Sequence, residues 1–310
     1  MAIPLLVDTD MGVDDAVALA WALAADKDAR VVGLTSVEGN VPLAQATANI
    51  ARLLTGLRVS HWPPIGEGLS QEGRCTATAT HVFGPDGLGE SDLPVPADFQ
   101  ATDFRSVYAE AIEAHGGELT ILAIGPLTNL AAVLGESPGL LSRVGRIVVM
   151  GGAVWCKGNV AGKAEFNFHR DPAATEAILS AGLPVTVVPL DVTSQVLLDE
   201  SHLAHLSRSG TARGELLARL IRYPLAREAN GGAGQFQVHD ATALGVILRP
   251  AHFLRASMGL AVTRDGPAAG ACRPQVVKDK SRQVSVAISV NAADLLEEML
   301  ETLCGEKFVV

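Results

Sequence analysis

Short apolar runs alternating with longer stretches of helical periodicity constrain this chain more than any other feature. Ile3–Val7 reads as a buried strand and Asp14–Ala25 as a helix rich in Ala and Leu. Val31–Val37 is strand-like and Leu43–Leu54 helical. Leu119–Ile124 and Arg146–Met150 are strands with a helix over Asn129–Leu134 between them, and Pro172–Ala181 is a helix before a strand at Val185–Pro189. Such alternation builds βαβ units, hence a parallel sheet with helices on both faces. The expected fold is α/β: an open, mostly parallel, Rossmann-like sheet flanked by helices. Ligands of such folds collect at the carboxyl ends of the strands, which is where chemistry is to be sought. Gly66–Ala101, rich in Gly, Pro, Thr and Asp, breaks the rhythm as a long irregular loop, a kind of segment that is usually functional or mobile. Helices resume over Leu198–Arg227 and Ala241–Ile247, then a strand over Gln283–Val290 and a closing helix over Ala292–Leu303. No repeat or linker divides residues 1–310, so one domain is expected.

Composition narrows the function classes. Lys and Arg number 24 against 34 Asp and Glu, giving a net charge of −10. That balance disfavours nucleic acid and anionic membranes as partners, because both need a basic surface. The uncharged stretch Leu119–Gly135 contains Gly125, Pro126, Thr128 and Asn129 and is too broken to span a bilayer. The N-terminal apolar run has no basic flank and is interrupted by Asp8, unlike a signal peptide. Cys75, Cys156, Cys272 and Cys304 lack metal-ligand spacing and suit reduced thiols in a cytoplasm.

The chemistry concentrates in VDTDMGVDDAVAL, which places Asp8, Asp10, Asp14 and Asp15 between the first strand and the first helix. Carboxylates converging at a strand end repel one another unless protonated or bridged by a cation. A hard cation with oxygen ligands, such as Ca²⁺, answers that need. The plain alternative is a solvated turn whose acids favour a helix N-terminus. Further polar clusters follow other strands: Glu38-Gly39-Asn40, Gly125-Pro126-Leu127-Thr128-Asn129, Met150-Gly151-Gly152, Gly158-Asn159 and Glu165-Phe166-Asn167. The Ile124 carbonyl, at a strand end, is available to a cation. Asn40 and Asn129 could equally be helix caps. Asp240 is either a cap or a distant further carboxylate for the cation, with His239 beside it as a proton donor.

With these residues in view, the sequence resembles the inosine-uridine-preferring nucleoside hydrolases. The resemblance is carried by DTDMGVDDAVAL (8–19), EGN (38–40), GPLTNLA (125–131), VVMGGA (148–153), GNV (158–160), AEFNFHRDP (164–172), LDVT (190–193) and HDATAL (239–244). It implies Ca²⁺-dependent cleavage of the N-glycosidic bond of a small-molecule ribonucleoside, giving ribose and free base. It further implies that Asp10, Asp15 and Asp240 supply side-chain oxygens to the ion and Ile124 its carbonyl. The ribose 2′- and 3′-hydroxyls and one water would complete the shell, with Asp10 as base toward that water. Asp14, Asn40 and Asn167 would grip the 2′- and 3′-hydroxyls, and Asn159 and Glu165 the 5′ end, with Met150 near the ribose. His81 and His239 would lie beside the leaving base, His239 as its acid. Homotetramers or dimers are expected from the same resemblance.

The sequence also departs from the family pattern. Val82 and Phe83 separate His81 from Gly84 where relatives read His-Gly, and Ser194 stands where many carry His. The stretch before His239 is thin in aromatics, with Tyr223 followed by Arg227, Asn230 and Phe236. Phe166 and Trp155 could stack a base or serve as core or lid. Two other readings remain open at this point. Asp8-x-Asp10 superficially fits the nucleophile motif of haloacid-dehalogenase-like phosphatases. A Ca²⁺-dependent nucleoside-binding protein without turnover would also use these motifs.

Overall fold

The structure is a computed structural model and describes residues 1–71, 78–227 and 234–305. Cys75 and Asn230 lie outside the described residues. The first half of the chain runs β1 (Ile3–Thr9), α1 (Val13–Ala24), β2 (Ala29–Ser36), α2 (Leu43–Gly56), β3 (Ile65–Glu67), α3 (Thr80–Phe83), β4 (Thr102–Asp103) and α4 (Phe104–His115). Then come β5 (Thr120–Ala123), α5 (Thr128–Glu136), α6 (Pro138–Leu141), β6 (Arg146–Met150), α7 (Phe166–Arg170), α8 (Pro172–Ser180), β7 (Val185–Val188) and α9 (Leu190–Thr193). The remainder is β8 (Leu197–Asp199), α10 (Glu200–Arg208), α11 (Ala212–Leu225), β9 (Gln235–Gln237), α12 (His239–Leu248), β10 (Phe253–Val262), β11 (Cys272–Gln275), β12 (Val284–Val290) and α13 (Ala292–Cys304).

Ten strands form one sheet in the order β11-β10-β12-β7-β6-β5-β1-β2-β3-β4. From β12 to β4 the pairings are parallel; β10 and β11 join antiparallel at one edge. The α/β expectation of a mostly parallel sheet flanked by helices therefore holds. β8 and β9 make a separate antiparallel pair.

Side chains alternate between two apolar layers, as strand geometry requires. Leu5 and Val7 of β1 join Ile124, Met150 and the buried faces of α1 and α12, whereas Leu6 joins Tyr108, Leu130 and Ile121 on the opposite face. α1 is apolar on nearly every side and buried from Val13 to Ala22, so its sequence VDDAVALAWALA suits an interior helix.

From β1 the chain passes to β2, β3 and β4 on one side, then returns to β5 on the other. The crevice between the carboxyl ends of β1 and β5 is the switch point where such sheets bind ligands. Gly125, just beyond β5, comes so close that a Cβ there would lie 3.1 Å from the Asp10 nitrogen.

Candidate active site

β1 ends at Thr9, and the backbone turns sharply at Met11, a buried non-glycine residue at φ 51°. Left-handed geometry at such a residue costs about 1–3 kcal/mol and persists where the surroundings enforce it. Here the Asn49 amide donates to the Met11 carbonyl at 3.3 Å. Asp8 lies inside β1, whereas Asp10 lies just beyond its end. Asp8 follows the register of Leu6 and faces the far layer, accepting hydrogen bonds from Thr35 Oγ1 and from Asn129 Nδ2 at 2.8 Å, with Tyr108 beside it. The expectation that all four motif carboxylates converge is thus corrected: Asp8 points away from the others because strand alternation aims it through the sheet. The same placement removes Asp8 as a phosphatase nucleophile.

Asp10, Asp14 and Asp15 are instead joined by Asp240. Carboxylate oxygens of Asp14, Asp15 and Asp240 lie within 4.8 Å of one another, and all three side chains are buried. Asp10 is fully buried beside them and held by one residue: Oδ2 accepts from the Asn40 backbone N–H at 2.7 Å and Oδ1 from the Asn40 amide at 3.0 Å. The Asn40 amide also reaches Asp15 Oδ2 at 3.2 Å. Asp15 accepts in addition from the Gly12 N–H at 2.8 Å and from the Thr9 hydroxyl. Gly39 is required next to Asn40, since a Cβ there would fall 2.0 Å from Asp10 Oδ2.

Neither asparagine caps a helix. The cap of α2 is Pro42 and that of α5 is Leu127. Asn129 clamps Asp8, the Ser36 carbonyl (2.9 Å) and the Leu69 N–H (2.9 Å) together. Asp240 is not a cap either, because α12 starts at His239 after Val238.

Burial and mutual repulsion raise the acids' affinity for protons. Asp14 is pushed up to about 8 by burial and then by Asp15, and Asp10 and Asp240 rise well above the carboxylate range for the same two reasons. Asp15 is raised by burial, with Thr9 and Gly12 pulling it back. Asp14 Oδ1 is sealed from solvent and has no hydrogen-bond partner among the described residues. A buried carboxylate oxygen without a donor is costly, and a cation relieves both that cost and the repulsion. The donor set is all oxygen and fits a hard divalent ion.

Above this floor is a cavity of about 350 Å³ lined by Asp14, Asn40, Ile124, Met150, Asn159, Glu165, Phe166, Asn167, His81, His239 and Asp240 among others. Asn167 donates to the Ile124 carbonyl at 3.0 Å and the Met150 carbonyl at 3.3 Å, joining the ends of β5 and β6. Glu165 lines the cavity while its oxygens accept from the Asn167, Phe168 and Gly152 N–H groups at 2.7, 3.1 and 2.9 Å. His239 Nδ1 lies 2.8 Å from Thr193 Oγ1. Burial pushes the His239 imidazole down to about 4, well below the ordinary ~6.5 of a histidine.

Sequence reasoning missed part of the wall. Thr78, Ala79, Val82, Phe83, Val160 and Ala161 also line the cavity. Phe83, the residue intruding into the family's His-Gly motif, packs edge-on against Phe236 at 6.4 Å and over Gly12. An apolar pair replacing a glycine was the available signal. Ala161 (φ 50°) and Gly162 (φ 68°) form a tight turn that brings Asn159 and Val160 to the rim, and Asp191 fastens the start of that loop through the Val154 and Trp155 N–H groups at 2.8 Å each. Trp155 itself is 56% exposed and is not part of the lining, so it is neither core nor base platform here.

The profile of the family described as inosine-uridine preferring nucleoside hydrolase matches residues 5–297. Uridine nucleosidase 1 of Arabidopsis thaliana is 33% identical over 250 residues, covering 79% of this chain and 74% of that protein. A solved plant nucleoside hydrolase superposes with a TM-score of 0.89 at 30% identity, covering 98% of this chain and 99% of that one. The purine-preferring ribonucleoside hydrolase from Gardnerella vaginalis gives 0.88 at 28% identity, covering 97% and 98%. With the acidic floor at the sheet's switch point and these likenesses along nearly its whole length, the chain belongs to the inosine-uridine preferring nucleoside hydrolase family, enzymes that hydrolyse N-glycosyl bonds of nucleosides.

Proposed function

We propose that the chain hydrolyses ribonucleosides to ribose and free base with Ca²⁺ held by Asp10, Asp15, Asp240 and the Ile124 carbonyl. The observation that carries the metal reading is the cluster of buried Asp14, Asp15 and Asp240 carboxylates, whose oxygens lie within 4.8 Å of one another, with Asp10 fully buried beside them. When bound, such an ion supplies Lewis acidity and an anchor for vicinal hydroxyls. The chain's own groups do the rest. Asn40, by gripping both oxygens of Asp10, holds that carboxylate in one plane, ready to take a proton from the attacking water. Glycosidic cleavage develops positive charge on the sugar, and a carboxylate-lined floor stabilises it. Asp14, Asn40, Asn167 and Met150 line the cavity; in this reading the first three grip the ribose hydroxyls and Met150 lies against the ring. Asn159 and Glu165 serve the 5′ end. His81 and His239 face the base, and a neutral His239 offers the departing base a hydrogen bond from its N–H.

The test is base release from inosine, adenosine, guanosine, uridine, cytidine and 2′-deoxyuridine, each with and without prior chelation. Release from ribonucleosides that stops on chelation and returns with Ca²⁺ is expected. Full activity in protein shown to be metal-free would overturn the metal assignment. Binding of ribonucleosides to the Ca²⁺-loaded protein with no base released would overturn the hydrolytic one.

A further inference from the structure

Thr193 closes the short helix α9 that follows β7, and its side chain is fully buried. Its backbone N–H is already committed to the Pro189 carbonyl at 3.1 Å. Among the described residues its hydroxyl has one partner, His239 Nδ1, at 2.8 Å. A hydroxyl accepting from Nδ1–H would leave its own hydrogen buried and unbonded, which is costly. Donating to Nδ1 satisfies both atoms at once. Nδ1 is then the acceptor nitrogen and carries no proton, which leaves the ring's N–H on Nε2. Nε2 makes no hydrogen bond with a described residue and is not sealed from solvent, and His239 lines the cavity.

From this arrangement we infer that Thr193 is a positioning residue: its hydroxyl fixes the His239 tautomer so that Nε2–H faces the leaving base. The inference rests on the reading of His239 as the group beside that base. Partners of this kind, which orient an imidazole without touching substrate, are worth about 10- to 100-fold in activity. Valine in place of Thr193 keeps the volume and removes the donor. Serine keeps the donor and removes only a methyl group.

The experiment compares Thr193→Val, Thr193→Ser, His239→Ala and the Thr193→Val/His239→Ala double variant on a ribonucleoside that the wild type cleaves and on p-nitrophenyl riboside, whose leaving group needs no hydrogen-bond donor. Thr193→Val is expected to lower kcat on the ribonucleoside by about 10- to 100-fold while leaving p-nitrophenyl riboside nearly untouched. Thr193→Ser should recover most of the loss, and the double variant should be no slower than His239→Ala, because both changes act through one imidazole. Equal losses on the two substrates in Thr193→Val, or losses that multiply in the double variant, would overturn the positioning role. Equal losses on both substrates in His239→Ala would instead remove the underlying assignment of His239, and the inference with it. A readout independent of turnover is the ¹⁵N spectrum of the histidine side chains in the wild type. An imine-type Nδ1 and a pyrrole-type Nε2 at His239 are expected, and a protonated Nδ1 would overturn the inference.

Discussion

Asp10, Asp15 and Asp240 sit at the end of β1 and in the first turns of α1 and α12 with almost no accessible surface, whereas His81 and Asn159 ride on α3 and the loop after β6 and are exposed. The floor is cross-braced by residues from different strands: Asn40 beyond β2 grips Asp10 and Asp15, and Asn167 grips the carbonyls at the ends of β5 and β6. The rim hangs on fewer ties: the loop after β6 turns at Ala161 and Gly162 and is anchored to Asp191 of α9, and the start of α3 is held by the Ala79 N–H donating to the Asn40 carbonyl at 2.9 Å. Groups fixed on strand ends and packed helices hold tight geometry, while loops on a scaffold are free to vary. Under the proposed function, that division gives the ribose 2′- and 3′-hydroxyls to the floor, and the base and the 5′ end to the rim.

Four expected outcomes would break or sharpen that division. The largest concerns the sugar itself: a site whose buried polar groups await a 2′-hydroxyl should reject 2′-deoxyuridine by about 10⁴-fold in kcat/KM relative to uridine. Comparable rates on the two would detach the floor from ribose recognition. Next, Asp10→Ala should lower kcat by about 10³-fold and weaken Ca²⁺ retention, read by steady-state kinetics and by metal content after dialysis. An unchanged kcat would remove Asp10 from the mechanism. Gly39→Ala adds a methyl group 2.0 Å from Asp10 Oδ2 and must push that carboxylate aside. A displacement of that order costs about 10²-fold in rate, so activity should fall far more than melting temperature does, and wild-type turnover would show that the floor tolerates movement. The smallest effect belongs to the rim. Phe166→Ala should change the inosine-to-uridine preference by about 2- to 10-fold, the worth of one aromatic contact, with little change on p-nitrophenyl riboside. A uniform loss on every substrate would place Phe166 with the floor instead.

The same division governs how much could be read from the chain. The central strands and their helices were legible because both sheet faces are covered, so each strand is a continuous apolar run. β10, with Arg255 and Ser257 exposed beside its apolar residues, carries no such run and was not anticipated, and neither was α4. Asp10, Asp14, Asp15 and Asp240 could be named because acids are conspicuous beside apolar segments. Their sorting could not: Asp8 lies inside β1 and Asp10 beyond its end at Thr9, and short sequence windows do not reveal where the strand stops. Thr193 escaped notice within LDVT because its partner lies 46 residues away. Phe83, at the end of the one-turn helix α3, and Val160, in the loop after β6, reach the cavity along paths that periodicity does not encode.

The Asn129 clamp has a bearing on how the molecule assembles. Its amide meets Leu69, Ser36 and Asp8 across separations of 60, 93 and 121 residues. None of these bonds is available to a chain that has only its local helices, and each requires a loop closure whose entropy is spent before the bond repays it. The clamp grips Asp8 in the strand that leads to Asp10. Catalytic competence is therefore a late acquisition in folding, gained when β1, β2 and β5 are docked side by side, and a misthreaded sheet would leave the acids dispersed and the enzyme silent.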